Sequence, residues 1–259
     1  MTLQLQIAVS SGNGSYLSCY PATGIVSTTA AQTMMYWVYP ANIGPGGTGA
    51  AASSNIGVYN GDPVGTGTTT GIQMGINQGG TAAGTVCVWT WGGANLVTSA
   101  AGYVLPINTW THITYTCTAI SGGTQTHSVY INGVLNNTAT NAIQIPGNPI
   151  QFYFNGFPVT PATTGPESNT MQMDDIYYFN RVLSADEITT IFTTKGQRDG
   201  ITYGLITRYN FNEGMPGTNV VKANDYSGHN NTVLPVTIGT GIPPAYNIDW
   251  ANIDTRPVQ

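Results

Sequence analysis

The chain has 259 residues and a formal net charge of −5, which suffices for one large domain or a domain with an appendage. Only 7% of residues are charged, and all six basic ones lie between Arg181 and Arg256, so the clustered Lys and Arg that hold nucleic acid are missing. No apolar run reaches the roughly 18 residues of a membrane-spanning helix.

Asp62 is the only charged residue before Glu167. The first two thirds therefore carry a hydroxyl- and amide-rich surface that cannot rely on charge repulsion for solubility. It suits salt-insensitive packing against another protein, or hydrogen bonding to neutral sugars. Gly 33 and Pro 15, with abundant Thr, Asn and Ser, point to many short strands joined by turns.

In chain order, strands are predicted near 3–9, 14–20, 32–39, 54–59, 71–76, 84–91, 110–118, 126–131, 134–138, 150–155 and 171–179. Gly-rich segments at 44–50, 61–71 and 78–84 read as rim loops. Cys19, Cys87 and Cys117 cannot all pair within one chain and show no metal-ligand spacing; all three are expected to be free thiols. Asn132-Gly133, between Tyr130-Ile131 and Val134-Leu135, signals a two-residue hairpin turn. Strict alternation over 171–179 puts Met171, Met173, Asp175, Tyr177 and Phe179 on one face, with Gln172, Asp174, Ile176 and Tyr178 on the other. A short helix follows near 184–195. Ser184 is its cap, Glu187 completes a capping box, and Ile188, Ile191 and Phe192 form one apolar stripe. A lone helix in such a chain is expected to lid one edge of a β-sandwich.

The stretch Asp174-Asp175-Ile176-Tyr177-Tyr178-Phe179-Asn180-Arg181-Val182-Leu183-Ser184-Ala185-Asp186-Glu187-Ile188 resembles the closing motif of laminin-G-like domains, within the concanavalin A-like class. Trp110-Thr111-His112 and Tyr130-Ile131-Asn132-Gly133 are similar to that family's central strand pair. Gly14-Ser15-Tyr16-Leu17-Ser18 and Met34-Met35-Tyr36-Trp37-Val38-Tyr39-Pro40 are similar to its early strands. Together these cover roughly 8–192. The resemblance implies an all-β, antiparallel jelly-roll β-sandwich. It implies little about function, because one fold hosts many functions.

A further strand is predicted at 203–211. Gly204–Gly214 and Asn224-Asp225-Tyr226-Ser227-Gly228 resemble the opening motif of the same family, displaced to follow the last strand. The chain therefore divides into a sandwich at 1–199 and a C-terminal strand-plus-arm extension at 200–259. The displaced segment either completes its own sandwich, pairs with a neighbouring subunit, or begins a second truncated domain. The tail 235–259 reads as an extended arm needing a partner surface.

Glucanases share this fold, and a retaining glycosidase needs two carboxyl groups about 5–5.5 Å apart. Asp174 and Asp175 are adjacent, point to opposite faces, and have no acid two or four positions away along the strand, so no hydrolase is expected. The resemblance also implies an edge site for Ca2+. Its candidate ligands are Asp174, Asp175 and Asp225, with Asn60 and Asp62 from a rim loop. His112, His127 and His229 lack zinc spacing, and His112 reads as structural. Trp89 and Trp91 share one face of their strand, and Val86 and Val88 the other. The indoles are core, a sugar-stacking platform, or a protein interface. The candidate ligand-binding set is Trp89, Trp91, Asn60 and Asp62.

The N-terminus lacks the pattern of a secretory signal, although the composition resembles extracellular β proteins. A virion component, made in the host cytoplasm and released by lysis, reconciles the two. The expected function is thus non-enzymatic: a bacteriophage capsid-decoration or tail-associated protein docking on other virion proteins or copies of itself. The alternative is a lectin-like adhesin, extracellular or at the cell surface, that binds a neutral glycan.

Overall fold

The computed structural model describes residues 2–5, 15–43, 53–60, 71–77, 80–90, 95–142, 147–154, 171–195, 200–211, 222–237 and 248–251. The strands are Thr2–Leu5 (β1), Ser15–Cys19 (β2), Gln32–Pro40 (β3), Ser53–Tyr59 (β4), Gly71–Ile76 (β5), Val86–Thr90 (β6), Asn95–Thr98 (β7), Thr111–Cys117 (β8), Gln125–Ile131 (β9), Val134–Asn141 (β10), Gln151–Phe154 (β11), Met171–Phe179 (β12), Leu205–Tyr209 (β13), Leu234–Thr237 (β14) and Ile248–Ala251 (β15). The helix is Ala185–Thr194 (α1).

The first sheet runs β10-β9-β8-β3-β12-β1-β15, with β13 also beside β12; the second runs β14-β2-β11-β4-β5-β6-β7. All pairings are antiparallel, as the jelly-roll expectation requires. Between the sheets lies the main core. Met34, Tyr36 and Val38 of β3 and Ile113, Tyr115 and Cys117 of β8 meet Ile56 and Val58 of β4, Ile72 and Met74 of β5, and Phe152 and Phe154 of β11. Each set is spaced by two, so one face of every strand turns inward. All three cysteines are free and buried.

Two predicted turns take the expected form. Asn132 and Gly133 both have positive φ, at 51° and 78°, the geometry of a two-residue turn whose twist matches the strands it joins. The Glu187 N–H donates to Ser184 Oγ at 3.2 Å, and the Ser184 N–H donates to Glu187 Oε2 at 2.8 Å. Arg181 grips the same carboxylate with two N–H groups, at 2.9 and 2.6 Å. This hydrogen bonding, with Arg181 first and Ser184 after it, lowers the Glu187 pKa to about 2. The stabilisation is present above the ordinary carboxylate pKa near 4.5 and is lost as pH falls from there toward 2. Glu187→Ala is expected to cost about 1–2 kcal/mol by loss of the cap and the ion pair. Urea unfolding at pH 7 measures it, and a loss below about 0.5 kcal/mol would show that α1 stands without its cap.

The alternation expected across 171–179 breaks at Asp175. The pairing with β3 advances from Asp174↔Trp37 to Tyr177↔Met35, so two residues of β12 oppose one of β3. Asp175, at φ 40°, is at this bulge. Beyond it the phase reverses. Met171, Met173, Ile176 and Tyr178 all join the main core, whereas Tyr177 and Phe179 join a second cluster outside it with Met35, Leu183, Ile188, Ile191 and Leu205. Ile188 and Ile191 belong to α1, which roofs the outer face of the first sheet.

Sheet edges are handled by polar chemistry. Asn137 donates to Thr98 O at 2.9 Å, Asn141 donates to Leu96 O, and the Ala100 N–H donates to Asn136 Oδ1 at 2.7 Å. These asparagines tie β10 to the exposed edge of β7 and close the sandwich on that side. On the other side β14 carries Pro235, a residue at home on an edge strand.

The segment after 200 pairs within the same chain. β13 lies antiparallel to β12 over Ile176–Phe179, beside the half of β12 that β1 leaves free. Tyr209 stacks on Phe152 at 5.9 Å, and Phe211 meets Phe154 at 5.8 Å. Residues 235–237 and 248–251, read from sequence as parts of an arm, pair with β2 and β1.

Candidate functional site

The outer face of the second sheet carries the row Ser18–Tyr153–Gly57–Gln73–Trp89–Asn95, in register across six strands. Gly57 is there because Tyr153 lies over it: a Cβ at that position would sit 2.5 Å from the tyrosine oxygen. Ser18, Tyr153, Gln73 and Trp89 are all buried, and Trp89 is 2% exposed. Of the three readings left open for the indoles, the enclosed ring of Trp89 fits packing and not a solvent-open platform. The Gln73 and Gln151 side-chain oxygens have no hydrogen-bond partner, although Gln151 donates its amide to Ser18 Oγ at 2.6 Å. Asn60 is half-buried at the bend after β4. Trp91 and Asp62 lie outside the described residues.

A more open alternative is on the first sheet, beside α1, where Thr138 and Thr140 are exposed, Thr126 and Ser128 half-buried and Thr116 buried. Thr116, Ser128 and Thr138 are in register across β8, β9 and β10, as are Thr126 and Thr140 in the next row. These side chains point away from the core, which Tyr115, Cys117 and Val129 enter. Ser128 and Thr138 hydroxyls lie 3.0 Å apart, Thr126 and Thr140 hydroxyls 3.5 Å, and the Thr118 hydroxyl accepts the Thr126 N–H at 3.0 Å. The result is a strip of hydroxyls without charge. Its signal was present in the sequence as Thr114-x-Thr116-x-Thr118, Thr126-x-Ser128 and Thr138-x-Thr140. Aromatic residues drew attention elsewhere. Among described residues before Arg181, the only charged side chains are Asp174 and Asp175, and both are buried.

Among the described residues, the three acids considered for Ca2+ are not gathered into one group. Asp174 Oδ1 accepts the Asp175 N–H at 2.8 Å. Asp225 Oδ1 accepts the N–H groups of Arg208 and Ser227, both at 2.9 Å, and its Oδ2 accepts Ser227 Oγ–H at 2.8 Å and the Asn231 N–H at 3.0 Å. A carboxylate has about four lone-pair sites, and donors occupy all four here. Calcium needs acceptors converging on one point, whereas this carboxylate is ringed by donors. Among the described residues no three His, Cys, Asp or Glu side chains come together to hold a metal.

Of the histidines, His127 Nδ1 and the Tyr115 hydroxyl are 2.9 Å apart with their rings stacked. His112 lies on the opposite face of the first sheet, between Trp37 and Phe192 at ring distances of 5.2 and 5.9 Å.

The crystal structure of a SAP-like pentraxin from Limulus polyphemus superposes with a TM-score of 0.54 at 12% identity, over 76% of this chain and 83% of the pentraxin. A Bacteroides ovatus protein assigned to carbohydrate binding superposes with a TM-score of 0.55 at 16% identity, over 91% of this chain and 59% of its own length. At such identities the likeness is one of fold. No curated protein sequence matches. The sequence profile of the concanavalin A-like lectin/glucanases superfamily matches residues 11–189. That span runs from just before β2, through the Trp-x-His and Asn-Gly strand pair, to the capped helix; the chain belongs to this superfamily.

Proposed function

We propose that this sandwich is a non-catalytic binding module whose partner is a neutral saccharide, held by the hydroxyl strip of β8, β9 and β10. The observation that carries the reading is that strip itself: regularly spaced, free of charge, and opening from the buried Thr116 through the half-buried Thr126 and Ser128 to the exposed Thr138 and Thr140. Its hydroxyls donate and accept alike, as sugar hydroxyls do. The likeness to a protein assigned to carbohydrate binding supports the same class. The donor-saturated Asp225 and the adjacent, buried Asp174 and Asp175 favour binding without turnover.

Titration calorimetry with neutral oligosaccharides at 50 and 500 mM salt tests this. Affinity is expected to change less than about twofold between the two, because no ion pair is screened. Thr138→Val with Thr140→Val is expected to weaken binding about tenfold or more, the equivalent of one or two hydrogen bonds. Absence of binding by any neutral glycan at millimolar concentration would remove the reading.

A second reading places the module on a bacteriophage virion, as a capsid-decoration or tail-associated protein docked on other virion proteins or on its own copies. Among the described residues before Arg181 no exposed side chain is charged, which supports it, since such a surface packs closely without counter-ions. The two readings are compatible, because a docked module can display a saccharide-binding face. Mass spectrometry of purified particles decides: the chain is expected among their structural components, and its absence would sink this assignment.

A further inference from the structure

Among the described residues, two apolar clusters hold the fold together, and they share no residue. The smaller one fixes α1 to the outer face of the first sheet through Ile188 and Ile191. Beyond it, Phe192 stacks on Trp37 at 5.5 Å, and the Thr189 hydroxyl donates to Gly133 O at 3.3 Å. Beneath Phe192 lies His112, with 0% exposure and neither ring nitrogen hydrogen-bonded. A neutral imidazole carries one donor and one acceptor, and here both lack a partner. Trp37 Nε1 also lacks one.

We propose that α1 is an acid-released lid: protonation of His112 lifts Phe192 and the last turns of the helix off the sheet, uncovering Trp37 and Met35 while the sandwich stays closed.

The surroundings offer the imidazolium nothing. Its own strand β8 and its neighbour β3 carry no charged residue. The β9–β10 turn contributes Asn132 and Gly133, and the smaller cluster adds the phenol rings of Tyr130 and Tyr177. From β12 the acid in register is Asp174, on the far side of Trp37. On α1 the acids Asp186 and Glu187 lie in the first turn, at the end away from Phe192, and Lys195 is the C-cap. Burial alone pushes the His112 pKa from about 6.5 down to about 3.

The cheapest route for a proton is water entering under Phe192, because the alternative opens the main core. With the lid open His112 regains its ordinary pKa. The closed state is therefore fully favoured above about pH 6.5 and loses ground as pH falls toward 3, the open population rising about tenfold per pH unit. The Arg181–Glu187 pair persists through most of that window, because Glu187 titrates near 2. The N-terminal end of the helix stays tethered as its C-terminal end leaves.

Amide hydrogen exchange, corrected for intrinsic rates, tests the lid at pH 6.5 and pH 4.5. Protection at Ile191–Thr194 is expected to fall about fiftyfold, with β3 and β8 unchanged. His112→Gln is expected to abolish this pH dependence. Phe192→Ala is expected to release the same amides at pH 6.5, which keeps the idea testable should the His112 variant misfold. Helix protection that stays constant to pH 4.5, or that is lost in one step with β3 and β8, would overturn it. The second outcome would assign the acid response to His127, which packs on the inner side of the same sheet and whose pKa burial also lowers.

Discussion

Deletion of Asp175 is expected to leave the protein unable to fold at 37 °C. On either side of this residue β12 sends Met171, Met173, Ile176 and Tyr178 into the main core, and all four are essentially inaccessible. Side chains alternate with period two, so only an extra residue between Met173 and Ile176 lets both pairs face inward. Without Asp175 one half of the strand must turn over. If the second half turns, Tyr178 loses its contacts to the Val26 N–H and the Gln32 side chain, both at 3.3 Å, and Tyr177 and Phe179 enter the core in place of Ile176 and Tyr178. If the first half turns, two methionines leave the core. Displacing one large core side chain costs about 2–5 kcal/mol, and two or more are displaced either way. The sum reaches the whole stability of an ordinary domain, about 5–15 kcal/mol. Asp175→Gly keeps the residue count and the positive φ, so it isolates register from chemistry. It is expected to cost no more than about 2 kcal/mol. Circular dichroism and urea unfolding of the purified variants decide. A soluble deletion variant within about 2 kcal/mol of the parent would show that the bulge does not set the phase.

The same residue marks where sequence reading stops working. The strands, the Asn132-Gly133 turn and the Ser184–Glu187 cap are local signals, each carried by residue type and spacing over a few positions, and they predicted the architecture closely. The bulge is set by cross-strand pairing, so the pattern MQMDDIYYF looks regular in isolation. β14 and β15 went unread for a related reason: each is only four residues long, and their partners β2 and β1 lie far away in sequence; β7, also four residues long, follows β6 directly but is too short to show a period. Trp89 shows a third limit. Period-two alternation placed it away from Val86 and Val88, but nothing local distinguishes an outward indole that is covered from one that is open. The hydroxyl strip was legible as Thr-x-Thr on three strands. Its meaning appears only once register sets those strands side by side.

Asp225→Ala is expected to cost about 3–4 kcal/mol, because the carboxylate satisfies three backbone N–H groups as well as the Ser227 hydroxyl, which also reaches Ile206 O. Two of those N–H groups belong to Arg208 on β13 and to Asn231, twenty-three residues apart in sequence. Asn231 in turn receives the Thr23 N–H at 2.8 Å, donates to Thr23 O at 2.9 Å, and offers its carbonyl oxygen to the Tyr209 hydroxyl. Asp225 thus locks the C-terminal segment against both the aromatic core and the loop after β2. Asp225→Asn keeps the shape but turns an NH2 toward donors, and is expected to cost about 2 kcal/mol. Urea unfolding measures both values, and a loss below about 1 kcal/mol for the alanine variant would show that the segment is held elsewhere. A chelator separates this account from a calcium site. A bound ion stabilises the native state by mass action, whereas a carboxylate ringed by N–H and O–H donors owes nothing to a cation. EDTA is therefore expected to leave the thermal midpoint of the parent protein unchanged, and a midpoint lowered to that of Asp225→Ala would assign the carboxylate to a metal.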